Sequence, residues 1–471
     1  MRDWRKGMLV SLLTVAVTVV SAADVETRID AFVSAEMQRE HVPGVAVGVF
    51  SKGEVLVARG YGFANVEYRV PVTAETVFQT ASVGKQFTAV AVMLQVEAGR
   101  LGLDESIRAY FPDAPTSWQA ITVRHLLTHT SGIPDYFDGL GPDQTQEFDL
   151  RRDYTEDELR QAFYRLPLEF EPGARWHYSN SGYALLGFLV RRVSGHFYGD
   201  VLAERVFRPL GMTTARVISE SDIVPNRAAG YRLVDGELKN QEWYAPMVNT
   251  TADGSLYLSL LDYLAWDRGL RAGAILKPDS WAQVCAPVRL NSGRQYPYGF
   301  GWFIDQSKGQ PWYRHSGSSQ GFRTYISRAL ADDLTIVVLT NLIEAEPARF
   351  VDGIASIIDP GLAVIRPMLP VADNDPAIAD RVRGLLVSLA GDGDPRQMLG
   401  DADQGVMKQA DEYAASLRPA GHLQDLQLLD RRQLGDDQSS TFAARYMGGT
   451  LRVEVLLTPN GRIAELDISP N

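Results

Sequence analysis

Ser82 and Lys85 stand three positions apart in Thr80-Ala81-Ser82-Val83-Gly84-Lys85, just ahead of the apolar positions Phe87, Val90, Val92, Met93 and Val96. Residues at i and i+3 share one face of a helix, so the lysine nitrogen can reach the serine hydroxyl. A serine hydroxyl attacks a carbonyl only once a base takes its proton. Lysine can be that base when burial or a neighbouring cation brings its pKa far below the usual value of about 10.4. The first turn of a helix helps twice: its positive end disfavours the lysine charge, and its free N–H groups face an oxygen that turns negative during acyl transfer. Small neighbours such as Ala81 and Gly84 leave space for a substrate carbonyl to approach. The same spacing also suits an N-cap serine beside a solvated lysine, so the pair needs support from elsewhere in the chain.

Two further stretches supply it. In Trp176-His177-Tyr178-Ser179-Asn180-Ser181-Gly182, Tyr178 and Asn180 sit two apart in a loop before the apolar helix expected over Ala184 to Val190. A phenol there can share proton transfer with Lys85, and an amide can hold the lysine or a substrate; a packed tyrosine and a turn-capping asparagine are the plainer alternative. In His315-Ser316-Gly317-Ser318, entering a strand, a glycine lets a substrate backbone lie along the strand edge, and the next backbone N–H can complete an oxyanion hole. Ser82 heads the only S-x-x-K in the chain and Tyr178 the only Y-x-N.

In this order the three stretches resemble the serine β-lactamase and penicillin-binding superfamily, in its class C-like branch with DD-peptidases, D-amino-acid peptidases and esterases. The resemblance runs over about residues Ile29 to Leu342 and includes Leu126 to Ile133 (L-L-T-H-T-S-G-I), Gly254 to Leu256 (G-S-L) and Tyr298 to Trp302 (Y-G-F-G-W). It implies Ser82 as the acylated nucleophile, Lys85 as its activating partner and Tyr178 as general base and acid with Lys85. Asn180 would then be a ligand for substrate or lysine, with the N–H groups of Ser82 and Ser318 forming the oxyanion hole. It also implies an antiparallel sheet flanked by helices beside an all-helical subdomain, with the site in the cleft between them. The substrate is then a D-amino-acid peptide, an ester or a β-lactam; a catalytically inactive binding member of the same fold is the alternative. One position departs from the K-T-G of most class C β-lactamases: His315 stands where the lysine would be. Histidine is mostly neutral at pH 7, which puts strong antibiotic hydrolysis in doubt. Arg323 is a second candidate for holding a carboxylate, or a structural arginine.

The elements that must position these residues follow from periodicity. Val25 to Glu40 has a helical period, Gly44 to Phe50 and Glu54 to Gly62 form a hairpin over Ser51-Lys52-Gly53, and a helix opening at Thr80 carries Ser82 and ends near Gly99. Residues 101–270 read as helix and loop. Strands over Phe322 to Ser327 and Leu334 to Leu339 then return to the first hairpin, so the fold is α/β in the α+β sense, one sheet built from both ends of a hydrolase domain over residues 24–359. Prolines 360, 367, 370 and 376 mark a linker over 360–376. Beyond it, helices over Ala377 to Leu389 and Val406 to Leu417 and strands over Leu451 to Leu457 and Ile463 to Ile468 make residues 377–471 a small α+β accessory domain.

Composition narrows the function classes. At 471 residues the chain has room for roughly two or three domains. A net charge of −12 disfavours a nucleic-acid partner, because phosphate binding rests on clustered Lys and Arg. Arg2, Arg5 and Lys6, the apolar run Met8 to Val20 and the small residues Ser21-Ala22-Ala23 read as a secretory signal peptide over residues 1–23, cut after Ala22 or Ala23. That predicts a periplasmic or secreted protein without a stable membrane span after cleavage. The single cysteine, Cys285, excludes an internal disulfide and sits among apolar neighbours as a small buried hydrophobe. His125 and His129 are four apart, yet Leu126 replaces the glutamate of H-E-x-x-H, so no metal and no cofactor is expected. The expected partner is a small-molecule or peptide substrate.

Overall fold

Two of the most continuously apolar stretches of the chain pair with one another. In the computed structural model, which describes residues 22–137, 149–242, 244–246, 248–307, 309–362, 369–391, 393–400 and 402–470, strand β1 (Gly44–Ser51) runs antiparallel to β7 (Leu334–Thr340). The expected signal peptide falls outside the described residues, except that Ala22 and Ala23 open helix α1 (Ala22–Glu40). β1 and β7 lie at the middle of a seven-stranded antiparallel sheet with β2 (Glu54–Asn65) and β3 (Val70–Pro71) on one side. On the other side stand β6 (Phe322–Ala329), β5 (Gln310–Ser319) and β4 (Phe303–Ser307). The order is β4-β5-β6-β7-β1-β2-β3, so the two ends of the domain meet in one sheet.

Both faces of the central strands are covered, which is why their apolar runs are unbroken. Val45, Val47 and Val49 point towards a core shared with Ile29 and Val33 of α1 and with Phe350 and Ile354 of helix α4 (Pro347–Ile358). Ala46 and Phe50 point the other way, into the large core of the helical region. Val47 and Val338 face each other across the register and are both fully buried, each stabilising the fold by about 1.5–3 kcal/mol. Helix α2 (Lys85–Glu97) crosses that second core with every residue from Lys85 to Gln95 buried, and the chain leaves it at Gly99 with φ 69°. A helix covered on all sides can hold its first turn still. Helix α3 (Asn180–Ser194) packs against α2 and is capped by Ser179, whose Oγ accepts the Gly182 N–H at 3.2 Å.

Past the stretch expected as a linker, of which residues 363–368 lie outside the described residues, the chain forms a four-stranded antiparallel meander. Its strands are β8 (Leu423–Leu434), β9 (Asp437–Tyr446), β10 (Gly449–Leu457) and β11 (Ile463–Pro470). Helices α5 (Pro376–Leu389) and α6 (Ala410–Leu417) cover one face, with a core of their own around Leu386, Leu417, Phe442 and Val453. β10 and β11 were legible as alternating strands. β8 and β9 were not, because Gln427, Arg431, Arg432, Gln438 and Ser439 break the apolar alternation.

Candidate active site

The serine sits on a different element from the one its spacing suggested. Ala81–Gly84 form a 3₁₀ turn, and the α-helix begins only at Lys85. Ala81 is held at φ 48°, a left-handed value that a non-glycine residue adopts at a cost of order 1–3 kcal/mol and that prevents the α-helix from starting earlier. Neighbours on three sides impose this conformation. The Thr80 N–H donates to the Leu256 carbonyl at 2.9 Å, Thr324 Oγ1 of β6 donates to the Thr80 carbonyl at 2.6 Å, and Thr80 Oγ1 donates to the Gly254 carbonyl at 3.2 Å. Two glycines let the neighbours come this close. A Cβ on Gly317 of β5 would stand 2.4 Å from the Thr80 carbonyl oxygen, and one on Gly254 would stand 2.4 Å from that of Ala81. Gly317 was expected to let a substrate backbone lie along the strand edge; the contact it relieves is with the turn that bears Ser82. Gly84 likewise faces Gly254 and not an approaching carbonyl.

Lys85 is 0% exposed, and its Nζ meets three oxygens: Ser82 Oγ at 3.0 Å, Asn180 Oδ1 at 2.7 Å and the backbone carbonyl of Asp253. Burial pulls its pKa down to about 8, while the carboxylates of Asp253 and Asp135 oppose that shift. The rings of Tyr178 and Tyr183 lie 4.8 and 5.3 Å from Nζ and offset part of the desolvation through cation–π attraction. A lysine in this setting gives up its proton more readily than a solvated one, which is what a base for a serine requires.

Tyr178 and Asn180 reach the same place from the start of α3. Asn180 is the first residue of that helix and not a loop residue, because Ser179 supplies the cap immediately before it. Burial holds the Tyr178 phenol well above its ordinary pKa, with a hydrogen bond to Ser82 pulling the other way, so the resting phenol keeps its proton. Its ring stacks on His129 at 4.2 Å between centroids.

His315 is built differently from the residue its position suggested. It is 2% exposed, and both ring nitrogens are engaged. Its Nδ1 lies 2.6 Å from the Ser316 carbonyl, which can only accept, so Nδ1 carries the proton and Nε2 accepts from Tyr298 Oη at 3.1 Å. The hydroxyl of Tyr298 in turn accepts from His129 Nε2 at 3.1 Å, since His129 Nδ1 takes the Ser179 N–H at 3.0 Å. A single directed chain results: Ser179 N–H, His129, Tyr298, His315, Ser316 carbonyl. Both imidazoles are neutral in it; burial pushes His315 down to about 3 and His129 well below its usual value. Tyr298 was noticed only as part of Y-G-F-G-W, and nothing in its local sequence shows that it joins two histidines.

Ser82, Tyr178, Asn180, His315 and Ser318 line one cavity of about 660 Å³. Glu465 of β11 lines it too, which no local pattern in the sequence could have indicated. Its side chain is exposed and opens onto the cavity, and the protein around it raises the carboxyl above its usual range. The meander is anchored beside the site by Arg175, whose Nη2 lies 3.2 Å from Asp437, and by Leu434 against the cluster of Trp176, Tyr296 and Tyr298. The other candidates lie apart from the cavity. Arg323 Nε donates to the Ile343 carbonyl at 2.8 Å, and the partly buried Cys285 has its thiol pushed up by burial. His125 Nδ1 accepts the Thr122 N–H at 3.2 Å in a capping box, so it and His129 serve separate structures.

The chain matches the Beta-lactamase family over residues 29–356. Among curated proteins the chain is 29% identical over 303 residues to Penicillin-binding protein 4* of Bacillus subtilis, covering 61% of this chain and 66% of that protein. It is 29% identical over 324 residues to a D-aminopeptidase of Gluconobacter oxydans, covering 68% and 59%. The matches thus span less than two thirds of either relative's length. A D-aminopeptidase of Brucella canis is 28% identical over 465 residues, 92% of this chain and 84% of that one. The octameric penicillin-binding protein homologue from Pyrococcus abyssi superposes with a TM-score of 0.63 at 23% identity, covering 95% and 98%, a likeness of fold.

Proposed function

The chain belongs to the beta-lactamase family of serine hydrolases, and within it we propose an amidase or peptidase that acts through an acyl-enzyme on Ser82 and prefers D-amino-acid substrates with a free amino group. In this reading Lys85, as the neutral amine, takes the Ser82 proton while Oγ bonds to the substrate carbonyl carbon. The oxyanion that forms is met by the N–H groups of Ser82 and Ser318. The proton passes through the Tyr178 phenol to the leaving nitrogen, the C–N bond breaks, and water then releases the acyl group by the reverse use of the same residues.

The observation that carries the substrate class is the charge of the cleft. Among the described residues that line it there is no lysine or arginine, His315 is neutral, and the acids are Asp253 and Glu465. Such a wall repels the carboxylate of a β-lactam or of a C-terminal D-alanine and attracts an ammonium. The D-aminopeptidase relatives support the same class. The test compares kcat/KM on D-alanine p-nitroanilide, its N-acetyl derivative and a chromogenic cephalosporin, with mass spectrometry of the acylated protein. Preference for the free amine with an adduct on Ser82 is expected; equal turnover of the acetylated compound, or an adduct elsewhere, overturns the reading.

A further inference from the structure

Two of the three oxygens around Lys85 Nζ, Asn180 Oδ1 and the Asp253 carbonyl, can only accept hydrogen bonds. A neutral amine has two N–H groups and one lone pair. The two carbonyl oxygens take both N–H groups, and the lone pair is left towards Ser82 Oγ, 3.0 Å away. This holds only while Asn180 turns its oxygen to the lysine. Rotated by half a turn, the amide would offer Nδ2–H to the lone pair and compete with the serine for it.

Asp135, 8% exposed and sixth in sequence from His129, decides the matter. Its Oδ2 accepts from Asn180 Nδ2 at 2.7 Å and from the Asn180 N–H at 3.1 Å, while Oδ1 accepts the Phe137 N–H at 2.9 Å. Burial raises this carboxyl while the two backbone N–H groups and Lys85 pull it down; with both its oxygens accepting N–H groups, a rotated amide would place Oδ1 against Oδ2, acceptor against acceptor. The two backbone N–H groups fix the carboxylate in turn. We propose that Asp135 is a positioning residue: it locks the Asn180 amide with oxygen towards Lys85 and thereby aims the lysine lone pair at Ser82.

The inference rests on Lys85 acting as base for Ser82. It is tested by Asp135→Asn, which nearly keeps the shape but can present an amide N–H to Asn180 and let it turn. Acylation of Ser82 by a D-alanine nitrophenyl ester, followed in single turnover, is expected to slow about 10–100-fold, the scale of losing a hydrogen bond to a charged group. Non-covalent binding of D-alanine amide, measured in the Ser82→Ala background, is expected to change less than about twofold. In an Asn180→Ala background Asp135→Asn adds no further loss, because the residue acts through that amide. Wild-type acylation by Asp135→Asn, or an equal second loss in the Asn180→Ala background, overturns the proposal.

Should Asp135→Asn fail to fold, the wild-type protein with ¹⁵N-asparagine answers by NMR. Asn180 Nδ2 protons shifted downfield and protected from exchange support the lock; freely exchanging ones overturn it. If the wild-type protein leaves no adduct on Ser82, the functional reading falls, while the same spectrum still reports the amide's orientation.

Discussion

Tyr298 Oη lies 3.1 Å from Nε2 of His315 and gives it the only proton the two can share. The bond is one step in a directed chain from the Ser179 N–H to the Ser316 carbonyl, and it joins α3, which carries Asn180, to β5, which carries Gly317. Removing the hydroxyl leaves one buried donor and one buried acceptor without partners. Tyr298→Phe is therefore expected to lower the unfolding free energy by about 1–3 kcal/mol, measured by urea denaturation, and to slow acylation of Ser82. A variant as stable as wild type would show that the chain is not held together through Tyr298.

His315 titrates at about 3 when folded and at about 6.5 when unfolded, so between those values the unfolded chain binds a proton that the folded one refuses. The stability present above about pH 6.5 is accordingly lost as pH falls towards 3. In His315→Asn this part of the slope disappears. Denaturant midpoints at pH 7, 5.5 and 4.5 for both proteins measure it, and the wild-type protein is expected to lose more between the first and last.

Lys85 must be neutral to take the serine proton, and burial places its midpoint at about 8. The single-turnover acylation rate is therefore expected to rise with pH and level off above about 8. Lys85→Arg keeps the charge but cannot lose it, and acylation is expected to fall at least about 1,000-fold, more than the 10²–10⁴-fold scale's lower end for a lost general base. A flat profile between pH 6 and 9 would assign the base elsewhere.

Glu465→Gln keeps the size of the side chain and removes its charge. For D-alanine p-nitroanilide, kcat/KM is expected to fall about 10–100-fold, largely through KM, while the N-acetyl derivative is unaffected. Equal losses on both substrates would place the effect of Glu465 in folding and not in recognition.

Gly317→Ala puts a Cβ 2.4 Å from the Thr80 carbonyl and 2.5 Å from Thr324 Oγ1. The strand and the serine turn must then separate, at a cost of about 1–3 kcal/mol. Acylation is expected to suffer more than stability, which a comparison of thermal midpoint with single-turnover rate resolves.

How much of this was legible depended on distance along the chain. Ser82 and Lys85 could be read because the geometry that joins them is local. The centre of the sheet could be read because β1 and β7 are buried on both faces and carry unbroken apolar runs. Asp135, Tyr298 and Glu465 could not, since each acquires its meaning from partners in other elements: Asn180 for Asp135, two histidines for Tyr298, and the cleft itself for Glu465. The 3₁₀ turn at Ala81 also escaped the sequence, because its left-handed φ is imposed by Gly254 and Gly317 and not by alanine's own preference.

The placement of Glu465 on β11 separates two tasks that could have shared one stretch of chain. Ser82 and Lys85 come from a turn and helix that pack against the seven-stranded sheet, while an acidic wall of the cleft arrives on the meander. On the proposed reading, variation in that module would retune which molecules are admitted while Ser82 and Lys85 stay as they are. A graft of a different strand-rich module onto the same hydrolase body is thus a route to new selectivity that leaves the chemistry alone.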